Sequence, residues 1–281
     1  MLHEGSTNIV IRPLESPKDF EAFERLQREI WGMELQEVIT GSHAKIAQRI
    51  GGIAAGAFDA HDELLGMVFG FTGYKNGHPM HWSHMLAVRF EARNLGLGRN
   101  LKVYQRETLL RSGIRDVFWT YDPLVAKNAH LNFNLLGVEA EDYVEDMYGQ
   151  GEDSELFRGL GTDRFIVRWR IDTEKVRSAL ESKWTFERDP FIAEQLSVSR
   201  LNESDKFSDP VMRDCSQSQR FRIEIPSDIH ALRDHSVEVA LRWREATRAA
   251  FQLAYANNFQ VAGFYRDATT DRCFYCLGKK R

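Results

Sequence analysis

The sequence predicts an α/β fold of the α+β kind, with a mixed central sheet, and three observations carry that reading. Apolar runs of strand length alternate with segments whose apolar residues recur at three- and four-residue steps. Two of the strand-like runs are joined by a short polar turn, as in a hairpin. One run, His84-Met85-Leu86-Ala87-Val88, feeds the glycine-bearing turn Arg93-Asn94-Leu95-Gly96-Leu97-Gly98, which opens a helix from Leu97 to Arg111.

Asn8-Ile9-Val10-Ile11-Arg12-Pro13-Leu14 alternates as a first strand should. Ser16-Pro17 then starts a helix through Phe20, Phe23, Leu26 and Ile30, spaced as a core-facing stripe. A shorter helix covers Ser42 to Ile50. Strands over Gly52–Phe58 and Leu65–Thr72 flank the turn Asp59-Ala60-His61-Asp62-Glu63. The polar stretch Lys75-Asn76-Gly77-His78-Pro79 reads as a loop into the strand before the glycine motif. Asp116 to Tyr121 is a further strand, and the turn at Asp122-Pro123 precedes a helix from about Leu124 to Leu136, closed by Gly137. Val138–Tyr148 and Arg164–Arg170 read as two more strands. Beyond Asp172, Glu203–Gln219 reads as a loop, Arg220–Pro226 as a strand, Ser236 as the cap of a long helix, and Phe259–Tyr265 with Arg272–Leu277 as a hairpin.

The chain of 281 residues can bury a full core, and its 43% hydrophobic and 28% charged content is ordinary for a globular protein. A formal charge of -4 argues against a general nucleic-acid binder. No apolar run reaches membrane-spanning length and no leader pattern opens the chain, so the expected location is cytoplasmic. Three cysteines fit a reducing compartment. Cys273 and Cys276 have C-x-x-C spacing, but no second ligand pair accompanies them, and they read as small strand residues rather than zinc ligands or a redox pair. No metal is expected.

A strand, a glycine turn and a helix N-terminus together make an anion site. The first helical N–H groups have no internal partner, the helix dipole is positive there, and glycines let the backbone approach phosphate closely. Arg93 and Arg99 can add charge-assisted hydrogen bonds. The motif lacks the third glycine of a dinucleotide fingerprint and the Gly-Lys-Ser/Thr of a triphosphate loop. The spacing R-x-x-G-x-G at this point in the order β-α-α-β-β-β-α-β-α-β-β resembles the coenzyme A pyrophosphate loop of the GNAT N-acyltransferase superfamily. Lys127–Val138 supports the match, keeping the closing Gly137 and the small Ala129 of a second family motif. It departs where Asn128 falls two residues late and Phe133 holds the tyrosine position. The resemblance covers about residues 8 to 170. It gives a domain of residues 1–172 and an extension, 173–281, similar to the second half of a degraded GNAT domain.

That resemblance implies fourth and fifth strands that splay apart around a pantetheine arm. Main-chain groups of Leu86, Ala87 and Val88 would hold its amides, and the backbone from Arg93, Asn94, Leu95, Gly96, Leu97 and Gly98 to Arg99 would hold the pyrophosphate, with Asn128 nearby. The donor would be acetyl-CoA or another acyl-CoA such as succinyl-CoA, and the acceptor a small amine or amino acid. A homodimer is compatible with this reading. His84, nine residues before Arg93, matches a strand histidine of arylalkylamine acetyltransferases. An imidazole of ordinary pKa near 6.5 can take a proton from an ammonium at neutral pH. The competing reading makes His84 a strand residue that only shapes the pocket, and Glu91 lies less well placed in the turn. Phe133 cannot serve as the leaving-group acid, so Tyr121, Tyr143 and Tyr148 are candidates. Thiolate can also leave unaided. His130, Asn132, Asn134, Arg168 and Arg170 could meet the acceptor. The reading is therefore an acyl-CoA-dependent N-acyltransferase; the alternative is a catalytically inactive acyl-CoA-binding or regulatory module.

Overall fold

Ser16 begins the first helix with both halves of a capping box: its hydroxyl accepts the Asp19 N–H, and the Asp19 carboxylate accepts the Ser16 N–H. Pro17 follows at the first helical position, where its missing N–H costs nothing. The computed structural model describes residues 9–32, 38–150, 159–215 and 217–280; Asn8 of the expected first strand lies outside them. The described residues form two units. One runs to Trp119 and includes Arg170–Asp172; the other takes the rest from Thr120 onward.

In the first unit β1 (Val10–Pro13) is followed by α1 (Pro17–Trp31) and α2 (Gly41–Arg49). Then come β2 (Ile53–Phe58), β3 (Leu64–Lys75), β4 (His78–Val88), α3 (Leu97–Arg111) and β5 (Asp116–Tyr121), whose last residues belong to the second unit. β1 to β4 pair in sequence, all antiparallel, whereas β5 is parallel to β4. The α1 stripe packs as its spacing predicts: Phe20, Phe23 and Leu26 are buried with Phe58, Leu64, Met67 and Phe69 of β2 and β3. The expected loop before β4 is instead a tight turn. Asn76 and Gly77 take φ of 54° and 79°, the paired positive values of a two-residue hairpin turn, so β3 and β4 extend to meet at Lys75 and His78.

Two irregularities in β4 shape the site. The β3–β4 register slips between Phe69–Met85 and Gly70–Ser83, leaving His84 as the extra residue of a bulge. β4 also pairs with β5 only over Met80–Trp82 against Asp116–Phe118, while β4 itself runs on to Val88. The ladder between the two strands therefore ends at Trp82 and Phe118, the point where the resemblance leads one to expect a splay.

In the second unit α4 (Ala126–Ala129) continues in π-helical turns over His130–Leu136 and stops at Gly137, φ 69°. The expected single strand 138–148 is two, β6 (Glu139–Val144) and β7 (Met147–Gln150), because Asp146 turns the chain at φ 40°. β8 (Arg164–Arg170) pairs antiparallel with β6. After α5 (Glu174–Leu180) and α6 (Asp189–Ile192) come β9 (Leu196–Arg200), β10 (Pro210–Met212), β11 (Arg220–Ile225), α7 (Ile229–His235), α8 (Val237–Ala256), β12 (Phe259–Asp267) and β13 (Arg272–Lys279). The sheet order is β10-β9-β11-β13-β12, with β9 and β11 parallel. The expected loop from Glu203 thus contains β10, which pairs with Val198–Arg200.

Ser236 caps α8 through the Val239 N–H, as expected. α8 and β13 share an aromatic core with β6 and β8: Phe251 lies 4.8 Å from Phe165 and 5.3 Å from Tyr143, and Tyr275 lies 5.4 Å from Phe165, between ring centroids. Buried Arg244 donates to Asp122 at 2.6 Å and to Leu160 O at 2.9 Å. Cys273 and Cys276 are buried on β13, and burial pushes both thiols up to about 12. Among the described residues no helix is long and apolar enough to cross a membrane.

Candidate active site

After β4 the chain makes a turn of 3-10 helix (Phe90–Ala92) and enters α3 through Asn94 at φ 68° and Gly96 at φ 73°. Left-handed backbone is cheap only for glycine and is tolerated by asparagine, which explains both residue types at these positions. The α3 ladder starts with the Asn100 N–H bonded to Gly96 O at 3.0 Å, and no side chain caps the helix. The amides of the first turn therefore point out of the helix N-terminus, where the dipole is positive.

A Cβ at Gly98 would meet Leu86 at 3.9 Å and nothing closer, and one at Gly96 would meet nothing within 4 Å. A side chain at Gly98 would thus have room inside the protein. Arg93 lies 5.2 Å from the Phe90 ring, in a loop whose Phe90 and Leu95 are 77% and 51% exposed. The surface joins an exposed guanidinium and two exposed apolar side chains to an uncapped helix N-terminus, a setting that suits an anion.

Leu86, Ala87 and Val88 pair with Val68, Met67 and Gly66 of β3, and the β4–β5 divergence has already begun upstream of them. His84 is exposed at the bulge, its ring 5.8 Å from Phe71 and 6.3 Å from Phe69. A bulge re-aims a side chain out of the alternation, and this one leaves His84 exposed at the diverging end of the strand. His84, Leu86–Val88 and Arg93–Arg99 thus lie together in the first unit.

Asn128, Tyr143 and Tyr148 belong to the second unit. Asn128 is exposed on α4. The Tyr143 hydroxyl donates to Asp163, whose carboxylate also accepts from Arg248 at 2.6 and 2.9 Å. Burial and the Asp163 charge raise the Tyr143 pKa well above the usual phenol range. Tyr148 is 52% exposed, and its hydroxyl meets that of Thr120 at 2.9 Å. Tyr121 is buried with its hydroxyl 3.1 Å from that of Tyr275, which itself donates to Pro123 O. Phe133 is buried edge-on to the Tyr275 ring.

Sequence reasoning missed a buried polar chain beneath β4. Thr72 donates its hydroxyl proton to Gly51 O at 2.6 Å, so it accepts from His81 Nδ1–H at 3.1 Å. That assignment makes His81 Nε2 the acceptor of the Gln105 amide at 3.1 Å. Gln105 Oε1 in turn accepts from Lys102 Nζ at 3.1 Å, and Lys102 also donates to Ser83 Oγ at 2.8 Å. The Lys102 nitrogen sits 3.7 Å from the centre of the Trp119 ring. Burial pushes the Lys102 pKa well down, and burial with the nearby Lys102 charge pushes His81 down to about 3. His81 is therefore neutral and structural. The signal lay in α3, where Leu97, Leu101, Gln105 and Leu109 step by four and place Gln105 on the buried face.

No protein-family model matches the chain, and no curated protein sequence matches it. Solved structures do resemble it over more than half its length. The NatC complex bound to Gag peptide and CoA matches at 14% identity, covering 58% of this chain and 98% of that one, with a TM-score of 0.46. A putative acetyltransferase of the GNAT family from Desulfovibrio desulfuricans matches at 18% identity over 58% and 99%, TM-score 0.42. An aminoglycoside 6'-N-acetyltransferase complexed with coenzyme A matches at 16% identity over 59% and 98%, TM-score 0.43.

Proposed function

We propose that the protein is an acyl-CoA-dependent N-acyltransferase acting on the amine of a small molecule. The observation that carries this reading is the coincidence, within the first unit, of the end of the β4–β5 ladder, the bulged His84 and an uncapped helix N-terminus after a glycine turn. Residues 1–172 form the acyltransferase domain in this reading, and residues 173–281 an extension.

Acyl-CoA supplies an activated acyl thioester. Backbone amides of the Gly96–Arg99 turn and the Arg93 and Arg99 side chains bind and orient the pyrophosphate, while main-chain groups of Leu86–Val88 align the pantetheine arm. His84 takes the proton of the acceptor ammonium, directly or through water, so that the free amine can attack. The Tyr143 proton is committed to Asp163, which weakens Tyr143 as the leaving-group acid.

Calorimetric titration with acetyl-CoA and succinyl-CoA tests the reading, with Gly98→Glu as control. The wild type should bind at least one donor, and Gly98→Glu should weaken it by more than tenfold by placing a carboxylate against phosphate. Absence of binding by either donor, or full affinity in the variant, would overturn the assignment. Binding without thiol release over a panel of amines would favour the inactive module, a reading that buried Phe133 at the acid position supports.

A further inference from the structure

The hydrogen bonds beneath β4 run in one direction. Thr72 donates to Gly51 O, His81 Nδ1–H to Thr72, the Gln105 amide to His81 Nε2, and Lys102 to Gln105 Oε1. Each link fixes the next, so the chain starts from Lys102 as a donor. Lys102 directs its other contacts to Ser83 Oγ at 2.8 Å and to the Trp119 ring, 3.7 Å from its centre. Two oxygen acceptors and a π face suit the three N–H bonds of an ammonium. Burial nevertheless favours loss of that proton. The site therefore gains from a negative charge brought near it.

Lys102 comes from α3, yet its nitrogen touches a β4 side chain and a β5 ring, those of the residues directly beyond the last paired positions, Trp82 and Phe118. The Ser83 oxygen, in contact with that nitrogen, thus lies where the β4–β5 ladder ends. Because it accepts from Lys102, its own proton points away from the amine. A hydroxyl polarised by an ammonium is the stronger donor for it. Ser83 is 4% exposed, turned inward to α3, and its neighbour His84 is exposed. A polarised, nearly dry hydroxyl and an exposed imidazole therefore sit at consecutive positions of one strand.

We propose that the Ser83 hydroxyl, polarised by Lys102, holds the sulfur of the acyl donor and stabilises the thiolate that leaves. The inference rests on the acyltransferase reading for the identity of the donor, and on the hydrogen-bond directions for the role of Ser83. In the step it serves, the acceptor nitrogen bonds to the carbonyl carbon and gives up a proton to His84 or water. The C–S bond breaks with its electron pair on sulfur, and the thiolate accepts the Ser83 hydrogen bond with the Lys102 charge behind it. Neither residue has to lose its own proton. Lys102 acts through Ser83 and is a positioning residue. A leaving group stabilised in this way needs no tyrosine acid, so Phe133 does not preclude turnover.

Free coenzyme A is the probe, because its thiol reports on Ser83 without any acceptor. The ultraviolet absorbance of the bound thiolate, followed against pH, should give a midpoint at least about one unit below the ordinary thiol value of about 8.5, a tenfold gain in ionisation. Ser83→Ala should return the midpoint to about 8.5, while Ser83→Thr keeps the hydroxyl and should keep the shift. Lys102→Met should raise the midpoint as well; if that variant does not fold, the two Ser83 variants decide. Two titratable groups share this stretch of β4. His81 stays neutral above about 3, and His84 is controlled by His84→Ala, in which the shift should persist. With the fastest amine of the panel, Ser83→Ala should lower kcat about 10- to 100-fold and leave acetyl-CoA affinity within about twofold; without turnover the titration alone decides. A wild-type midpoint near 8.5, a lowered midpoint that Ser83→Ala leaves unmoved, or a shift that His84→Ala abolishes overturns the proposal and leaves the acyltransferase reading standing. If neither coenzyme A nor acetyl-CoA binds, the acyltransferase reading falls and this proposal with it.

Discussion

Replacing His81 with glutamine should change how the protein responds to acid more than how stable it is at neutral pH. His81 is fully buried, and its two ring nitrogens are committed, one donating to Thr72 and one accepting from Gln105. Burial disfavours the charged imidazolium and the nearby Lys102 charge adds to it, which is why the folded pKa sits at about 3; protonating Nε2 would also set an N–H against the amide N–H of Gln105. The free imidazole titrates near 6.5, so the folded value is depressed. The contribution is complete above about 6.5 and is lost as pH falls toward about 3, because over that window the unfolded chain holds a proton that the fold refuses. From about pH 7.5 to about 4.5 the loss is RT ln(1 + 10²), about 3 kcal/mol. His81→Gln removes the titration. It should cost about 1–3 kcal/mol at pH 7.5 through the broken chain and lost ring, and the gap to wild type should close by about 3 kcal/mol at pH 4.5. Urea unfolding followed by tryptophan fluorescence at the two pH values measures both numbers, with an unchanged m-value as the check on comparability. A wild-type-minus-variant difference that is the same at both pH values would refute the neutral-histidine argument.

His84→Ala should lower turnover by about two to four decades and leave acetyl-CoA affinity nearly intact, and it should remove the acid limb of the rate profile. Wild-type rates and an unchanged profile would reduce His84 to a lining residue. Arg244→Met should destabilise by about 3–5 kcal/mol, because it strands the buried Asp122 carboxylate. Adding Asp122→Asn should recover part of that loss in chemical denaturation.

Much of the scaffold was legible because local chemistry and tertiary need agree. The capping box at Ser16, the Phe20–Phe23–Leu26 stripe, the Ser236 cap and Gly137 as a helix stop are each forced by backbone groups or by burial over one or two turns. The glycine turn was legible for the same reason, since Asn94 and Gly96 must take positive φ. Failures came where a polar label hid a structural role. Asn76-Gly77 read as loop because it is polar, although its pairing of residue types specifies a two-residue hairpin turn. Nothing in the sequence assigned a place to Lys102 or His81, and only the assembled partners show that each is satisfied inside. Tyr143 could not be separated from Tyr148 by sequence, because the Asp163–Arg248 clamp that holds it spans long stretches of chain. The bulge at His84 has no local signature.

Lys102 has a consequence that its hydrogen bonds alone do not express. Its nitrogen touches Ser83 and the Trp119 ring, and these are the first residues beyond the last paired positions, Trp82 and Phe118, on the two diverging strands. The amine is thus a peg driven into the crotch of a fork. Strands that pulled back together would have to squeeze out a side chain whose stem and head are both enclosed, breaking the relay that runs to Gly51. The parting of the strands at Ser83 and Trp119 is therefore held by the protein's own side chains. On the proposed reading a thioester arm would not have to part the sheet at this point, so donor affinity should be insensitive to changes that stiffen β4 near Ser83.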